Sequence, residues 1–251
     1  MKTFIINLKS SVDRRLKIEG QLNALSIDHE FIEAVNGKAM STEELADKTK
    51  KINYAFLPGE IGCALSHQKI YKKMIDENID SALILEDDVI LLDGFSEVIR
   101  KITLPENSPT VILLSRVNKH YKKPLKNITV NHCLHKTQHA TTAHSYIINK
   151  SGAKSLLSAL YPVWMTADKW SLFEDLSLID VSSVIPHPVD LSNDAIKSTI
   201  NTSKGDTSID KAKQEIWDIL MQERSILAKF KHRYRRAITP IFHKIVNQGK
   251  G

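Results

Sequence analysis

A chain of 251 residues is long enough to bury one large core, and 42% hydrophobic with 25% charged residues is the balance of a globular protein. No apolar run approaches the ~18 to 20 residues of a membrane-crossing helix. The formal net charge of +6 is gathered at one end, since no acidic residue follows Glu223, which points to an anionic surface as partner of that end rather than of the body.

The N-terminal "MKTFIINLKSS" has only a short apolar run and no small-residue cleavage site, so it predicts a first strand and not a signal peptide. "SSVDRRLKIEGQLNAL" follows with Val12, Leu16, Leu22 and Leu25 at roughly helical spacing. "DHEFIEAVNG" predicts a second strand closing in an Asn36-Gly37 turn. Ser41 with Glu44 is a capping-box pattern, and "LPGEIGCALSHQKIYKKMIDEN" predicts a helix starting at Pro58. "SALILEDD", "TVILLS", "HSYIIN" and "DVSSVIPH" read as further strands, with "KSGAKSLLSAL" a helix. Residues 117–142 lack periodicity and predict a long loop, and the polar "LSNDAIKSTINTSKGDTSID" a mobile segment. Alternating strands and helices predict an α/β fold with a mostly parallel sheet, Rossmann-like, covered on both faces. Residues 1–222 would form this domain and 223–251 a basic amphipathic tail. Cys63 and Cys133 have no metal-ligand spacing, which predicts free thiols and a reducing, cytoplasmic compartment.

"ALILEDDVILL" raises the functional question. Glu86, Asp87 and Asp88 end an aliphatic strand, where ligands of such sheets bind. Adjacent carboxylates are costly to bury unless a positive charge answers them. The trio is either a solvated turn or the seat of a hard divalent cation such as Mn²⁺ or Mg²⁺, which bridges carboxylates to phosphates.

"INLKSSVDRR", "AVNG", "PGEIGCALSHQKIYKKM", "ALILEDDVIL" and "HSYIINKSGAKSLL" occur in this order, and together they resemble glycosyltransferase family 25, the galactosyltransferases of lipopolysaccharide and lipooligosaccharide biosynthesis. The resemblance implies the GT-A nucleotide-sugar transferase fold and inverting transfer of galactose from UDP-galactose to an oligosaccharide acceptor. It makes Asp88, in a DXD-like motif, the metal ligand. Glu86 would face the ribose or a metal-bound water, with Asp87 beside them. Asn7 and Leu8 would lie by the uracil, and Arg14 or Arg15 would reach the base or the diphosphate; a solvated helix start remains the alternative for both arginines. Asn36, Glu60, Gly62, Ser66 and His67 would line the donor pocket, Gly62 by letting backbone approach the ligand.

"YPVWMTADKW" aligns loosely with the family's Pro-hydrophobic-Asp segment. Inversion needs a carboxylate to take the acceptor's proton, and Asp168 is the first candidate for that base, with Glu174 and Asp175 as rivals. Ala167-Asp168-Lys169 departs from the apolar neighbours the pattern implies. His187, after a late strand, is a candidate third metal ligand. The tail mixes Ile226, Phe230, Ile241 and Phe242 with cations and predicts either a helix packed on the catalytic domain or an anchor on the inner face of a membrane, where a lipid-linked acceptor would be presented. A metal-dependent phosphohydrolase and a non-catalytic nucleotide-sugar-binding protein are the alternatives. No nucleic-acid module is evident.

Overall fold

The computed structural model of the chain describes residues 1–192 and 207–249. Its centre is a nine-stranded sheet. Strands β1 (Lys2–Asn7), β2 (Glu30–Glu33) and β3 (Ser81–Glu86) run together at one edge, in the order β2-β1-β3. Next come β8 (Ser145–Asn149), β5 (Thr110–Leu113), β9 (Asp180–Ile185), β7 (Cys133–His139), β6 (Lys119–Asn127) and β11 (Ile245–Asn247). β7, β8 and β11 run against the other six, so the sheet is mostly parallel in direction with a reversed strand, β8, at its middle.

Period-two alternation of apolar residues explains why both faces are covered. Phe4, Ile6, Ile84, Val111, Tyr146 and Ile148 point into one core, together with Ile70, Met74, Leu156, Trp170 and Phe173. Those partners come from α3 (Pro58–Asp76), α5 (Lys150–Leu160) and α6 (Trp170–Asp175). Ile5, Leu83, Leu85, Ile112 and Ile147 point the other way. There they meet Ile18 and Leu22 of α1 (Val12–Ala24), and Phe95 and Val98 of α4 (Phe95–Lys101). Continuous apolar runs such as "ALIL" are the signature of strands buried on both sides.

Local signals set several boundaries. Ser41 and Glu44 form the full capping box at the start of α2 (Thr42–Lys48), and Pro58 opens α3. Asn36 caps a 3-10 turn at Gly37–Ala39 by accepting the Lys38 N–H. α1 turns a different face inward from the one its spacing suggests: Ile18 and Leu22 are buried, while Val12 and Leu16 are exposed. Residues 117–142, expected as a loop, hold the hairpin of β6 and β7. Polar residues fill its inward positions, His135, Thr137 and Gln138 among them, so no apolar alternation marks it.

Two expectations concern the C-terminal half. Of the segment expected to be mobile, residues 193–206 lie outside the described residues, and its last part opens α7 (Thr207–Glu223). Of the segment expected as a tail, residues 223–249 are described, and they pack against the body. α8 (Ile226–Arg233) packs on α6, a π-helical turn spans Tyr234–Ile238, and α9 (Thr239–Phe242) leads into β11, which pairs with β6 as an edge strand. Arg235 binds the buried Asp175 carboxylate at 2.7 and 3.0 Å, fixing the segment to α6. Both cysteines are free, and no helix among the described residues is long and apolar enough to cross a membrane.

Candidate active site

Glu86 ends β3, and Asp87 and Asp88 form the turn into the short β4 (Val89–Leu91). β4 pairs with β10 (Val189–Leu191), and Ser192 N–H donates to the Asp88 carbonyl at 2.8 Å. Gln21 of α1 clamps β4 from behind, accepting the Leu91 N–H and donating to the Val89 carbonyl. The turn that carries the charges is therefore fixed from three sides.

β1 ends alongside. Asn7 Nδ2 donates to Asp87 Oδ2 at 2.7 Å and to the Ser11 carbonyl at 3.1 Å. Arg14, one turn into α1, sets Nη1 at 3.4 Å from Asp87 and 3.5 Å from Asp88. Arg15 points elsewhere and stacks its guanidinium on the Phe31 ring at 3.7 Å. Leu8 carries the turn after β1, its carbonyl accepting the Ser11 N–H.

β8 supplies the positive charge that the trio lacked in sequence. Its antiparallel register pairs Leu85 with Ser145, which sets His144 opposite Glu86. His144 Nδ1 lies 2.9 Å from Glu86 Oε2 and 3.8 Å from Asp88 Oδ1. Burial acts to discharge His144, but Glu86, Asp88 and Asp168 outweigh it and hold its pKa up at about 9. Burial pushes Glu86 upward, yet the His144 charge and hydrogen bond, with His67 adding, pull it below the usual carboxylate range. Asp88 goes the other way, to about 6, through burial and the neighbouring Glu86 charge. Burial likewise raises Asp87.

Glu86, Asp88 and His144 each bring a ligand atom within 4.8 Å of the others. Asp88 Oδ1 is buried with no hydrogen-bond partner among the described residues, an arrangement that costs free energy unless something positive completes it. Two carboxylates and an imidazole make a donor set that a divalent ion such as Mn²⁺ accepts. A second group, Cys63, His67 and Glu86, shares Glu86. Burial, then Glu86 and Asp168, push the Cys63 thiol well above its ordinary pKa, so it is a neutral thiol there.

α3 backs the site. His67 Nδ1 lies 2.7 Å from the Tyr146 hydroxyl, which meets Tyr71 at 2.7 Å, while its buried Nε2 points at Glu86 across 3.5 Å without a close partner. Ser66 is spent on the fold: its Oγ accepts the Val35 N–H and donates to the Gly62 carbonyl. Gly62 does admit a backbone, but it is the chain's own. A Cβ there would lie 2.4 Å from the Val35 carbonyl oxygen. Glu60 faces Lys213 of α7, with Nζ at 2.7 Å from both its oxygens.

Asp168 sits in the segment after α5 that pairs with residues 48–54 through the Lys50 and Tyr54 N–H groups. Its Oδ1 accepts the Thr166 hydroxyl at 2.6 Å, and it is close enough to help hold the His144 proton. Its rivals are engaged. Glu174 pairs with Lys136 and accepts the Val181 N–H, and Asp175 is taken by Arg235 and His232. His187 also departs from expectation. It joins neither of the two donor clusters among the described residues, and its Nε2 lies 2.9 Å from Gln248 Oε1. Neither His144 nor Cys63 is marked by its neighbours in the chain, and the place of His144 depends on β8 running against β3.

The model for "Glycosyltransferase family 25 (LPS biosynthesis protein)" matches residues 1–171, through Asp168 and the whole carboxylate site. The chain belongs to glycosyltransferase family 25. It is 31% identical over 173 residues to procollagen galactosyltransferase 2 of Homo sapiens, covering 62% of this chain and 27% of that protein. A glycosyltransferase 25 family member of Drosophila melanogaster is 31% identical over 175 residues, covering 63% and 28%. The chain thus spans little more than a quarter of the length of these relatives. A solved glycosyltransferase involved in glycosylation of the major capsid of PBCV-1 covers 64% of this chain and 65% of its own, at 10% identity and a TM-score of 0.34. The match takes in β1 to β3 and β5 to β8 of the sheet, with Glu86 at the carboxyl end of β3, and stops before β9 and β11.

Proposed function

We propose that the chain is a metal-dependent, inverting galactosyltransferase that moves galactose from UDP-galactose to a saccharide acceptor. Family membership supports a nucleotide-sugar donor, and the galactosyltransferase relatives support galactose. The observation that carries the metal dependence is the buried, unpartnered Asp88 oxygen beside Glu86 and His144. These three residues would hold the cation, with His144 giving up its proton to do so. A bound divalent ion supplies positive charge to the diphosphate leaving group. Asn7 and Arg14 orient Asp87 and Asp88 from the β1 side, and Arg14 offers N–H donors toward phosphate oxygens. Asp168 accepts the proton of the acceptor hydroxyl as that oxygen attacks the sugar from the opposite face. The family's own description supports a lipopolysaccharide or lipooligosaccharide acceptor over the collagen of the animal relatives.

Location at the inner face of the cell membrane belongs to the same reading. Ile226, Phe230, Ile241 and Phe242 stay exposed on the C-terminal helices among basic side chains, which suits an anionic lipid surface. The deciding experiment measures UDP release from UDP-galactose with and without a lipooligosaccharide acceptor, in Mn²⁺ and in EDTA. Release that needs both acceptor and metal supports the proposal. Phosphate release without acceptor would make the chain a phosphohydrolase, and UDP-galactose binding without release a binding protein.

A further inference from the structure

A cavity of about 1000 Å³ opens between the β6, β7 and β11 side of the sheet and the C-terminal helices. Lys119, Lys169, Arg224 and Arg236 line it, and Trp217 gives it an aromatic wall. Asp175 is the sole carboxylate among its lining residues, and Arg235 and His232 already occupy that group. No carboxylate pairs with Lys119, Lys169, Arg224 or Arg236 among the described residues. Arg224 spends its Nε on the Met221 carbonyl, and its Nη1 is buried with no hydrogen-bond partner among the described residues. A buried guanidinium N–H without an acceptor is costly, so this one has a use for an oxyanion. The excess positive charge is felt within the wall: burial, then Arg235, Lys119, Lys169 and Arg236, drive the His139 pKa down.

Two facts separate this cavity from the donor site. None of Asn7, Arg14, Glu86, Asp87 and Asp88 lines it. It does reach Lys169, the residue next to Asp168, whose Nζ lies over the Tyr54 and Trp217 rings at 5.0 and 5.7 Å. Its volume accommodates a ligand of disaccharide size. Aromatic walls present an apolar face to one side of a sugar ring, and guanidinium forks match phosphate and carboxylate oxygens. We propose that this cavity is the acceptor subsite and that it selects an anionic saccharide, one carrying phosphate or carboxylate groups. The assignment to the acceptor rests on Asp168 being the base in the proposed transfer; the anion preference rests on the cavity alone.

The test is calorimetric binding to the full chain at low salt, with glucose 6-phosphate, glucose and inorganic phosphate as probes and UDP as the donor control. Lys119 and Arg236 are both exposed, so Lys119→Glu with Arg236→Glu changes the charge without opening the core. Glucose 6-phosphate should bind, more tightly than inorganic phosphate, and glucose should not. The double variant should weaken glucose 6-phosphate by about tenfold or more and leave UDP within about twofold. Equal binding of glucose and glucose 6-phosphate would overturn the anion preference, and inorganic phosphate binding as tightly as the sugar phosphate would overturn the saccharide. Displacement of glucose 6-phosphate by UDP would return the cavity to the donor. A chain that fails to bind UDP while keeping glucose 6-phosphate would sink the proposed donor site and not this one.

Discussion

His144 and Glu86 face each other across two antiparallel strands, Nδ1 to Oε2 at 2.9 Å, and each holds the other in its charged form. The pair therefore stabilises the metal-free chain within a defined pH window. His144 has its folded pKa raised from 6.5 to about 9, so its contribution is complete below 6.5 and fades as pH rises through 9. Glu86 has its folded pKa depressed, so its contribution is present above 4.5 and is lost as pH falls toward the folded value. His144→Ala should cost ~1 to 3 kcal/mol near pH 6 and much less near pH 10, read from urea melts in EDTA. An equal cost at both pH values would mean that the imidazole is held by packing and not by charge. Loading Mn²⁺ at neutral pH should also release about one proton, seen by calorimetry in buffers of different ionisation enthalpy.

Asp88 makes the opposite contribution. Burial and the Glu86 charge raise it from 3.8 to about 6, so the fold prefers its neutral form and loses stability as pH rises through that interval. Asp88→Asn should stabilise the metal-free chain by ~1 to 2 kcal/mol at pH 7.5. It should also abolish the rise in melting temperature that Mn²⁺ gives the parent. If Mn²⁺ raises both melting temperatures equally, the cation lies elsewhere.

The acids of "LILEDD" stand out in the sequence because the three charges and the aliphatic run before them are adjacent in the chain, although that pattern alone suits a solvated turn as well. The capping box at Ser41 and the proline start of α3 were legible for the same kind of reason, since each rests on neighbours in the chain. His144 was not. Its place opposite Glu86 follows from the reversed direction of β8, which only the assembled sheet reveals. The β6–β7 hairpin stayed hidden because His135, Thr137 and Gln138 fill buried positions that an apolar pattern would have marked. The close approach at Gly62 is visible in the sequence, but its partner, the Val35 backbone, is not, because the contact joins parts of the chain far apart in sequence.

Gly62→Ala should destabilise the fold rather than the chemistry. The added Cβ would meet the Val35 carbonyl oxygen at 2.4 Å and the Gly37 nitrogen at 2.7 Å, both backbone atoms that cannot rotate away. Overpacking of this kind costs ~1 to 3 kcal/mol. The melting temperature should fall, with UDP affinity unchanged below the melt. Loss of UDP binding in the still-folded variant would show that the glycine serves the ligand after all.

Asp168→Asn keeps the Thr166 hydrogen bond, since the amide oxygen can still accept the hydroxyl. If Asp168 takes the acceptor's proton, kcat should fall ~10²- to 10⁴-fold with UDP affinity little altered. Glu174→Gln, in contrast, should leave kcat near the parent value and lower stability, because Glu174 serves Lys136 and Val181. A fall in UDP affinity that matches the fall in rate would make Asp168 a donor-binding residue.

Packing on the body and contact with a membrane are alternatives in the sequence, and the C-terminal segment has a separate face for each. β11 and the Arg235–Asp175 pair bind it to the body, so deleting it should unfold the edge of the sheet and cannot test an anchor cleanly. Its outward face can be tested instead. Ile226, Phe230 and Tyr234 recur at four-residue spacing, which puts them on one side of the helix, and Ile226 is 88% and Phe230 64% exposed. Ile241 and Phe242 add 72% and 73% exposure further on, with Lys229, Arg233 and Lys244 exposed around them. Such a face gains apolar burial from a headgroup boundary and ~1 kcal/mol per cation from anionic lipid. Ile226→Ser with Phe230→Ser and Phe242→Ser should therefore abolish sedimentation with phosphatidylglycerol vesicles, and preserve the melting temperature and UDP release on a soluble acceptor. Parental binding should weaken as salt rises, because screening shortens the reach of each cation, and should be lost on purely zwitterionic vesicles. A triple variant that still sediments would place the lipid contact elsewhere on the chain. Parental binding indifferent to lipid charge would remove the electrostatic half of the idea.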